Sequence, residues 1–558
     1  MKSFLPLLLL TCSIISFGTK AQPLSTIESI DINNIAAAIL VHGDMMYDPS
    51  NYNPRCEFPR GTGIHAGGPS ALWMGGMDGS NFLHVSAQTY RQSGSDYWPG
   101  PLDNTGALSI TESQKWARVW KVNFFDINNH IANGTHTTGN TPKDILEWPA
   151  KGNTYAKGSG NASLTITNDM APFVDLNSNG VYEPLSGEYP DMKGDQMLWW
   201  VFSDNGPTHD NHSSSTASTP LKVEVHAMAY GYKRNTAIDN VIYFEYDIIN
   251  KSGVDYNNYR AAIYADIDLG YTNDDYVGFD SARRLGYMYN GTTVDGTGSG
   301  TNEYGAMPPI SGYAVLNMPG DNGSNYAPMG SFMSINNDGT VMGNPTHDLE
   351  YNYYMRSAFR DGQHLKNDFT GWQKNSTGRG TGPLANYMYT GNPSDTNTWA
   401  ECICNNPVGD RRFVMSTSDH LFKAGTTVNF DFAFVVTNVG SNHACPNADI
   451  TDVLTVADTA WKNYNTPPKT FVSVNDVQAR TGFKLYPNPV SNTLNVSFPD
   501  GALPERLSVT DITGRNVTVS YANVGQELTI DVQHLSKGTY ILNVERKGVK
   551  NGQVFVKE

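Results

Sequence analysis

Apolar and polar residues alternate with a period of two in several parts of this chain. Between 221 and 230 the odd positions are all apolar, whereas the even positions include Lys222, Glu224 and His226. Strand-like patterns occur in three further segments: 241–249, 260–266 and 428–436. Because successive side chains of a strand point to opposite faces, the alternation predicts β-strands that are buried on one face and polar on the other.

The composition favours many short strands. The 558 residues include 53 Gly, 30 Pro, 30 Tyr and 10 Trp, an abundance of turn-forming and aromatic residues. Apolar residues recur at helical spacing in 450–461, which predicts one helix there, and the Gly- and Asn-rich segment 290–345 predicts long loops. We therefore expect an all-β dominated fold: a large β-rich main unit with one helix near its end, followed by a small Ig-like antiparallel β-sandwich.

The N-terminus is typical of a signal peptide. Lys2 precedes an almost unbroken apolar run over 4–17, and small residues then occupy the −3 and −1 positions of a cleavage site after Ala21. The alternative, a transmembrane anchor, would need a run of about 20 residues. We expect cleavage, export and no transmembrane segment in the mature chain.

The net charge of −16 disfavours nucleic acid as a partner, since phosphates require basic patches. A Pro-containing stretch at 465–468 ends the main unit. The predicted domains are a signal peptide, a β-rich cargo unit, a linker and a C-terminal module: 1–21, 22–465, 466–482 and 483–558.

Four cysteines follow the cleavage site: Cys56, Cys402, Cys404 and Cys445. An exported protein permits disulfides. Four cysteines allow three pairings, and the sequence leaves the choice among them open.

The C-terminal module has short alternating segments with turn motifs between them. The motif residues are Tyr486, Pro487, Asn488, Pro489, Asp511, Gly514, Arg515, Gly538, Tyr540 and Lys557. In this order, at the end of the chain, they resemble the type A C-terminal sorting domain of the type IX (Por) secretion system of Bacteroidetes. An ordinary Ig-like adhesion domain is the alternative.

The resemblance implies a route and a set of partners. The Sec machinery would deliver the chain to the periplasm, and the type IX machinery would carry it across the outer membrane. The sorting domain would then be removed, and the cargo would be linked to outer-membrane lipopolysaccharide or released. The implied location is extracellular or on the outer-membrane surface.

Three segments of the main unit resemble secreted Bacteroidetes proteins of no assigned activity: 86–94, 96–103 and 194–204. This likeness carries no site over to the chain.

The segment from Asp175 to Glu183 has the pattern of a calcium-binding loop. Oxygen-bearing side chains at loop positions 1, 3 and 5, followed by Gly, let a tight turn wrap around Ca²⁺. Position 12 is Ser186 rather than Glu, so another acid must complete the ligand set. The predicted ligands are Asp175, Asn177, Asn179, the carbonyl of Val181, Glu183 and Glu188. An Asx-rich turn without metal is the alternative.

A second group of acids follows the predicted strand at 260–266. Carboxylates this close in sequence raise one another's pKa unless a cation binds. We predict a second structural Ca²⁺ site here, with a solvated loop and a glycosidase-type carboxylate pair as alternatives. The residues are Asp266, Asp268, Asp274, Asp275 and Asp280.

The remaining motifs favour a binding protein, with an enzyme as the alternative. His209 and His212 could bind a transition metal, although a polar loop is the commoner outcome. The sequence contains no His-Glu-x-x-His, Gly-x-Ser-x-Gly or P-loop motif. We predict a non-enzymatic, calcium-stabilised adhesin or glycan-binding protein that binds a glycan or a host or environmental surface. The alternative is a secreted hydrolase of polysaccharide or protein that uses carboxylates of the acidic loops.

Overall fold

The computed structural model of this chain describes residues 26–558 except for the following segments: 90–94, 211–218, 299, 323–325, 368–381, 405, 439, 441–443, 446–447, 469–482, 499–502, 505, 512–514, 525–526 and 547–548. The described residues form two compact units. The first draws on Met1–Asn123, Lys143–Glu183 and Pro190–Pro468, and the second on Phe124–Pro142, Pro184–Tyr189 and Lys469–Glu558. The signal peptide and most of the predicted linker lie outside the described residues.

Strands are numbered along the chain. The strands before residue 220 are β1 (Ile27–Ile30), β2 (Ala36–Leu40), β3 (Tyr47–Asp48), β4 (Asn53–Pro54), β5 (Cys56–Glu57), β6 (His65–Gly67), β7 (Ser70–Met77), β8 (Leu83–Ala87), β9 (Trp98–Pro99), β10 (Trp120–Asn123), β11 (Phe173–Val174), β12 (Tyr189–Pro190) and β13 (Gln196–Ser203). Those from 220 to 440 are β14 (Val223–Gly231), β15 (Val241–Asn250), β16 (Tyr256–Ala265), β17 (Asp275–Asp280), β18 (Leu285–Asn290), β19 (Ser311–Asn317), β20 (Ser331–Asn336), β21 (Arg411–Ser416), β22 (His420–Phe422) and β23 (Thr427–Val436).

Helices are short and few among the described residues. They are α1 (Ile110–Trp116), α2 (Phe124–Ala132), α3 (Lys143–Leu146), α4 (Asp348–Tyr354) and α5 (Thr451–Asn465). Short 3-10 turns occur at Ser159–Asn161, Pro184–Ser186, Ala237–Asn240 and Cys402–Cys404. None of these helices is long and apolar enough to cross a membrane.

Two antiparallel sheets enclose the main core of the first unit. The larger has the order β10-β13-β14-β15-β23-β19-β18-β17, with β9 added beside β13. The other has the order β20-β21-β16-β7-β8, with β22 added beside β16, and a third sheet runs β1-β2-β5-β6. Phe244 and Phe432 of the large sheet and Trp73 and Tyr264 of the second sheet belong to one apolar core.

The strand predictions are confirmed, but the expectation of one solvent-facing side is wrong for β14. Its odd positions enter the main core as predicted. Its even positions are also largely buried, because a second apolar cluster that includes Trp199, Tyr243 and residues of α5 packs on that face of the sheet. Burial on both faces explains why polar β14 residues such as Glu224 are only 2% exposed.

The predicted helix near the end of the main unit is confirmed as α5. The prediction of long loops over 290–345 is wrong in part, because β19 and β20 lie there. The sequences of these strands mix Ser, Gly and Asn with apolar residues, which weakens the alternation. The structure confirms a strand-dominated fold.

The C-terminal module is a small sandwich of two antiparallel sheets. The strands are β24 (Lys484–Tyr486), β25 (Thr493–Ser497), β26 (Arg506–Asp511), β27 (Asn516–Val517), β28 (Ser520–Val524), β29 (Glu527–Asp531), β30 (Gly538–Arg546) and β31 (Val549–Lys557). The sheet orders are β24-β25-β29-β28 and β27-β26-β30-β31. Val496 and Ile530 of one sheet share a core with Leu542 and Phe555 of the other.

One cysteine pairing is resolved. Cys402 and Cys445 form a disulfide with a Cα–Cα distance of 6.1 Å, whereas Cys56 is a buried thiol. The bond links the 3-10 turn before β21 to the segment before α5.

Candidate calcium sites

The predicted calcium loop turns its side-chain oxygens inward. The Asp175 carboxylate accepts hydrogen bonds from the backbone N–H groups of Gly180 at 2.7 Å and Asn179 at 3.3 Å. The side-chain amides of Asn177 and Asn179 both donate to Oε2 of Glu183 at 2.8 Å. The loop thus brings four of the predicted ligands together.

The local sequence explains this turn. Ser178 and Gly180 adopt positive φ angles of 60° and 74°, a region that Gly enters without steric cost. The N–H of Val181 donates to Oδ1 of Asn179 at 2.7 Å, which tightens the same turn.

Glu188 has a different environment from the loop. It belongs to the second unit, its side chain is fully buried, and its backbone carbonyl accepts a hydrogen bond from Nε2 of His130 at 3.1 Å. Of the two glutamates predicted as ligands, Glu183 is therefore the one that contacts the side chains of the loop.

Two acids of the second predicted site are paired with arginines. Oδ2 of Asp266 lies 3.1 Å from Nε of Arg412, and both side chains are buried. Asp280 accepts from the backbone N–H of Arg283 at 2.8 Å and lies 3.5 Å from its guanidinium. Each arginine supplies a positive charge that a cation would otherwise have to supply.

The other acids form a buried group with a member that we did not predict, Asp295. Burial raises the pKa of Asp295 to about 6, and the nearby negative charge of Asp274 adds to this. Burial also raises the pKa of Asp275 well above its usual range, and the negative charges of Asp274, Asp295 and Asp268 raise it further. We name Asp268, Asp274, Asp275 and Asp295 the buried carboxylate group.

Asp275 is the least compensated member of the group. It is fully buried, and neither of its carboxylate oxygens accepts a hydrogen bond of normal geometry, although the Leu269 backbone lowers its pKa in part. By contrast, Asp295 accepts N–H hydrogen bonds from Tyr271, at 2.8 Å, and from Tyr304. A carboxylate in the position of Asp275 favours either a proton or a cation.

A glycine makes room for this group. Gly270 has a φ of 67°, and a Cβ there would collide with the carboxylate of Asp295. Glycine at position 270 is therefore a packing requirement of the segment before β17. The signal for Asp295 was weaker, because the residue lies in the Gly- and Thr-rich segment after β18 that offered no strand pattern.

The described part of the chain contains no group of three or more His, Cys, Asp or Glu side chains arranged to hold one metal ion. The loop at 175–183 would need amide and carbonyl oxygens besides its two acids. Three cavities of 280, 380 and 460 Å³ are lined by residues outside both acidic groups.

Another carboxylate pair, missed from the sequence, lies on the large sheet. Glu245 of β15 is directly opposite Asp431 of β23. Oδ2 of Asp431 accepts from Tyr464 at 2.6 Å and from Asn317 at 2.9 Å. Burial raises the pKa of Asp431 to about 7, and Glu245 contributes further.

His209 forms part of a buried ion pair. Its Nδ1 faces the carbonyl of Asp204 and its Nε2 faces that of Val85, each at 2.9 Å. Carbonyls only accept, so both nitrogens must donate and the ring is an imidazolium. Burial lowers the pKa of His209, but the charges of Asp96 and Asp204 outweigh this and raise it. An imidazolium has no lone pair for a metal, and His212 lies outside the described residues.

The sorting motifs connect the two ends of the C-terminal module. Asn488 donates from Nδ2 to the carbonyl of Val554 at 3.1 Å, and its Oδ1 accepts from the N–H of Val556 at 2.8 Å. The flanking Pro487 and Pro489 follow cis peptide bonds.

The other motif residues stabilise turns. Nε of Arg515 donates to Asp511 at 3.1 Å, and the hydroxyl of Tyr540 donates to the Ser536 carbonyl at 2.9 Å. Tyr486 is half exposed on β24, Gly538 begins β30, and Lys557 ends β31. Gly514 lies outside the described residues.

Comparison with known proteins identifies this module. The family of secretion system C-terminal sorting domains matches residues 484–558. This match confirms the resemblance to the type IX sorting domain, and it assigns the chain to export by that system, with a cell-surface or secreted location.

Two further comparisons concern the chain as a whole. No curated protein matches the chain. Among solved structures, a polysaccharide lyase aligns at 9% identity with a TM-score of 0.18, over 60% of this chain and 34% of its own. The chain therefore spans about a third of that protein's length, and a likeness this weak says nothing about function.

Proposed function

We propose that the main unit is a non-enzymatic, calcium-stabilised adhesin or glycan-binding protein that acts outside the cell. The loop at 175–183 is the observation that carries the calcium part. Asp175 and Glu183 supply charge, and Asn177 and Asn179 supply neutral oxygens, which is the mixture that Ca²⁺ prefers. Extracellular modules bind Ca²⁺ with dissociation constants of about 10⁻⁴–10⁻³ M.

A binding role agrees with the destination. The sorting domain implies a cell-surface or secreted location, and we expect glycans and foreign surfaces to be accessible to the main unit there. We also propose that the signal peptide is cleaved, that the protein comes from a Bacteroidetes bacterium, and that lipopolysaccharide can anchor it at the outer membrane.

The test compares thermal unfolding of the mature chain with Ca²⁺ and with chelator. We expect about 10 mM Ca²⁺ to raise the Tm by about 1.5–3 °C, because ligand that binds only the folded state stabilises it. The variant Glu183→Gln should lose this shift, whereas Glu112→Gln, a change on exposed α1, should keep it. Equal melting of the wild type in both buffers would contradict the calcium proposal.

The hydrolase alternative gains support from carboxylates other than those of the acidic loops. Glycosidases use two neighbouring carboxyl groups, one of which holds a proton near neutral pH. Glu245 and Asp431 are directly opposite each other on β15 and β23, and the pKa of Asp431, raised by burial to about 7, suits a proton donor. A hydrolysis screen over polysaccharides, repeated with Glu245→Gln, tests this: activity that depends on Glu245 would favour the hydrolase over the binding protein.

A further inference from the structure

A polar cavity of about 460 Å³ lies at one end of the large sheet. Its walls come from the turn before β2, the 3-10 turn Ala237–Asn240, the end of β23 and helix α5. This volume falls within the range of about 300–1,000 Å³ that small-molecule sites occupy. All of these segments belong to the first unit.

A chain of hydrogen bonds lines the cavity. Nζ of Lys233 donates to Oδ1 of Asn34 at 3.0 Å, and Nδ2 of Asn34 donates to Oδ1 of Asn240 at 2.8 Å. Nδ2 of Asn240 then donates to Oδ1 of Asn438 at 3.1 Å. We name this chain, from Lys233 through Asn34 and Asn240 to Asn438, the amide relay.

The ammonium group fixes the orientation of every amide in the relay. Lysine can only donate, so Asn34 must present its oxygen to Lys233 and its nitrogen to Asn240. The same argument then orients Asn240 towards Asn438. Asn438 is exposed and uses its oxygen within the relay, so its NH₂ group is the donor at the outer end.

The charges around the cavity are balanced. Nζ of Lys233 lies 2.6 Å from Oδ2 of Asp239, which also accepts from the backbone N–H of Asn235 at 2.9 Å. Among the residues that line the cavity, Ala237 and Val456 supply the apolar surface. An anion would find no unpaired cation in this lining, and an apolar ligand would leave the second N–H groups of the amides without partners.

Hydroxyl groups suit such a lining, because each can donate and accept at once. The inner amides, of Asn34 and Asn240, each use one N–H and one oxygen lone pair within the relay and keep a second of each. These remaining groups, together with the N–H groups of Asn438, can bond the hydroxyls of a sugar ring. The relay holds three amides in fixed orientations before any ligand binds, which lowers the entropic cost of binding.

We propose that this cavity is a binding site for a neutral saccharide, with Asn34, Asn240 and Asn438 as the recognising groups. The proposal rests on the glycan-binding function proposed above and gives that function a location. Lys233 acts as a positioning residue, since it orients the amides through Asn34.

The test is calorimetric titration of the mature chain with maltose, cellobiose and lactose as neutral probes. Asn438→Asp removes the outer donor at constant size, and Lys233→Met removes the group that orients the relay. Each should weaken binding of the preferred disaccharide about tenfold, the effect of about 1.4 kcal/mol. Asn51→Asp makes the same change at an exposed asparagine elsewhere and should bind like the wild type. Asn438→Asp and Asn51→Asp should melt within about 2 °C of the wild type. Lys233→Met also removes the partner of the buried Asp239, so its titration is run at a temperature where circular dichroism shows the variant to be folded.

Each outcome decides a different claim. Equal affinity of the wild type and both cavity variants would overturn the cavity as the site and leave glycan binding in place. Absence of binding to all three disaccharides would overturn the neutral-saccharide site. In that case, retention of the wild-type chain on insoluble polysaccharide shows whether the broader glycan-binding function survives.

Discussion

The loop at 175–183 and the buried carboxylate group contain the same kind of residue in opposite environments. In the loop, Asp175 and Glu183 are near the surface, and backbone or amide N–H groups donate to their oxygens. In the buried group, Asp275 lies in the interior beside three other acids and lacks a normal hydrogen bond. The number of acidic residues in a segment therefore does not predict how many hydrogen bonds the folded protein donates to their carboxylates.

The two regions also differ in how the chain assembles them. The loop is local, and every contact described for it spans at most six residues. The buried group combines the end of β16, the start of β17 and the segment after β18, with Arg412 of β21 beside it. Substitutions in each region can test this difference.

The largest expected effect comes from the buried ion pair beside the group. Arg412→Met should cost about 3–5 kcal/mol of unfolding free energy at pH 7.5 in urea denaturation, because it removes the buried guanidinium that pairs with the buried carboxylate of Asp266. Arg283→Met, which removes the more exposed partner of Asp280 and Asp458, should cost less than about 1 kcal/mol. Similar losses for the two variants would show that the Arg412 pair is not desolvated.

The pH dependence of Asp431 gives the next largest effect. Its pKa of about 7 in the fold exceeds the unfolded value of 3.8, so the folded state holds the proton more tightly between these values. Its contribution to stability is therefore complete below pH 4 and lost as pH rises through about 7. At about 1.4 kcal/mol per unit, the upper bound is about 4 kcal/mol.

Urea denaturation of the wild type and Asp431→Asn from pH 4 to 8 measures this contribution. The difference in stability should shift by about 1–4 kcal/mol in favour of the variant as the pH rises. Parallel curves for the two proteins would mean that Asp431 ionises normally.

Asp275→Asn tests the uncompensated charge directly. With chelator at pH 8, the substitution should raise the unfolding free energy by about 1–3 kcal/mol, since burial and three neighbouring acids make ionisation of Asp275 unfavourable in the folded state. The unfolding free energies of the two proteins should then be measured again with Ca²⁺. If Ca²⁺ binds at Asp275, it should stabilise the wild type and not the variant, so that the wild type becomes the more stable protein. That result would make the buried carboxylate group a cation site.

The smallest effect is expected in the loop. With chelator, Asp175→Asn should change the unfolding free energy by less than about 1 kcal/mol, because the loop is solvated and Asn retains one acceptor. The variant should nevertheless lose the rise in Tm that Ca²⁺ produces. A loss of several kcal/mol without calcium would show that the carboxylate supports the fold itself.

Local patterns were the predictable part of this molecule. The alternation at β14 and β15, the apolar spacing of α5 and the loop turn at Gly180 all depend on neighbours in sequence. Asp295, the Glu245–Asp431 pair and the amide relay were not predictable, because strand order and register bring their members together. The same holds for β14: its polar residues are buried by segments distant in sequence.

The hydrogen bonds of Asn488 make the start of the sorting domain depend on its last strand, β31. Val554 and Val556, the partners of Asn488, are among the final five residues of the chain. A chain truncated before Val554 would lose both hydrogen bonds of Asn488. It would also lose the part of β31 that pairs with the start of β30. Removal of residues 554–558 should therefore destabilise both the start of the sorting domain and the pairing of β30 with β31.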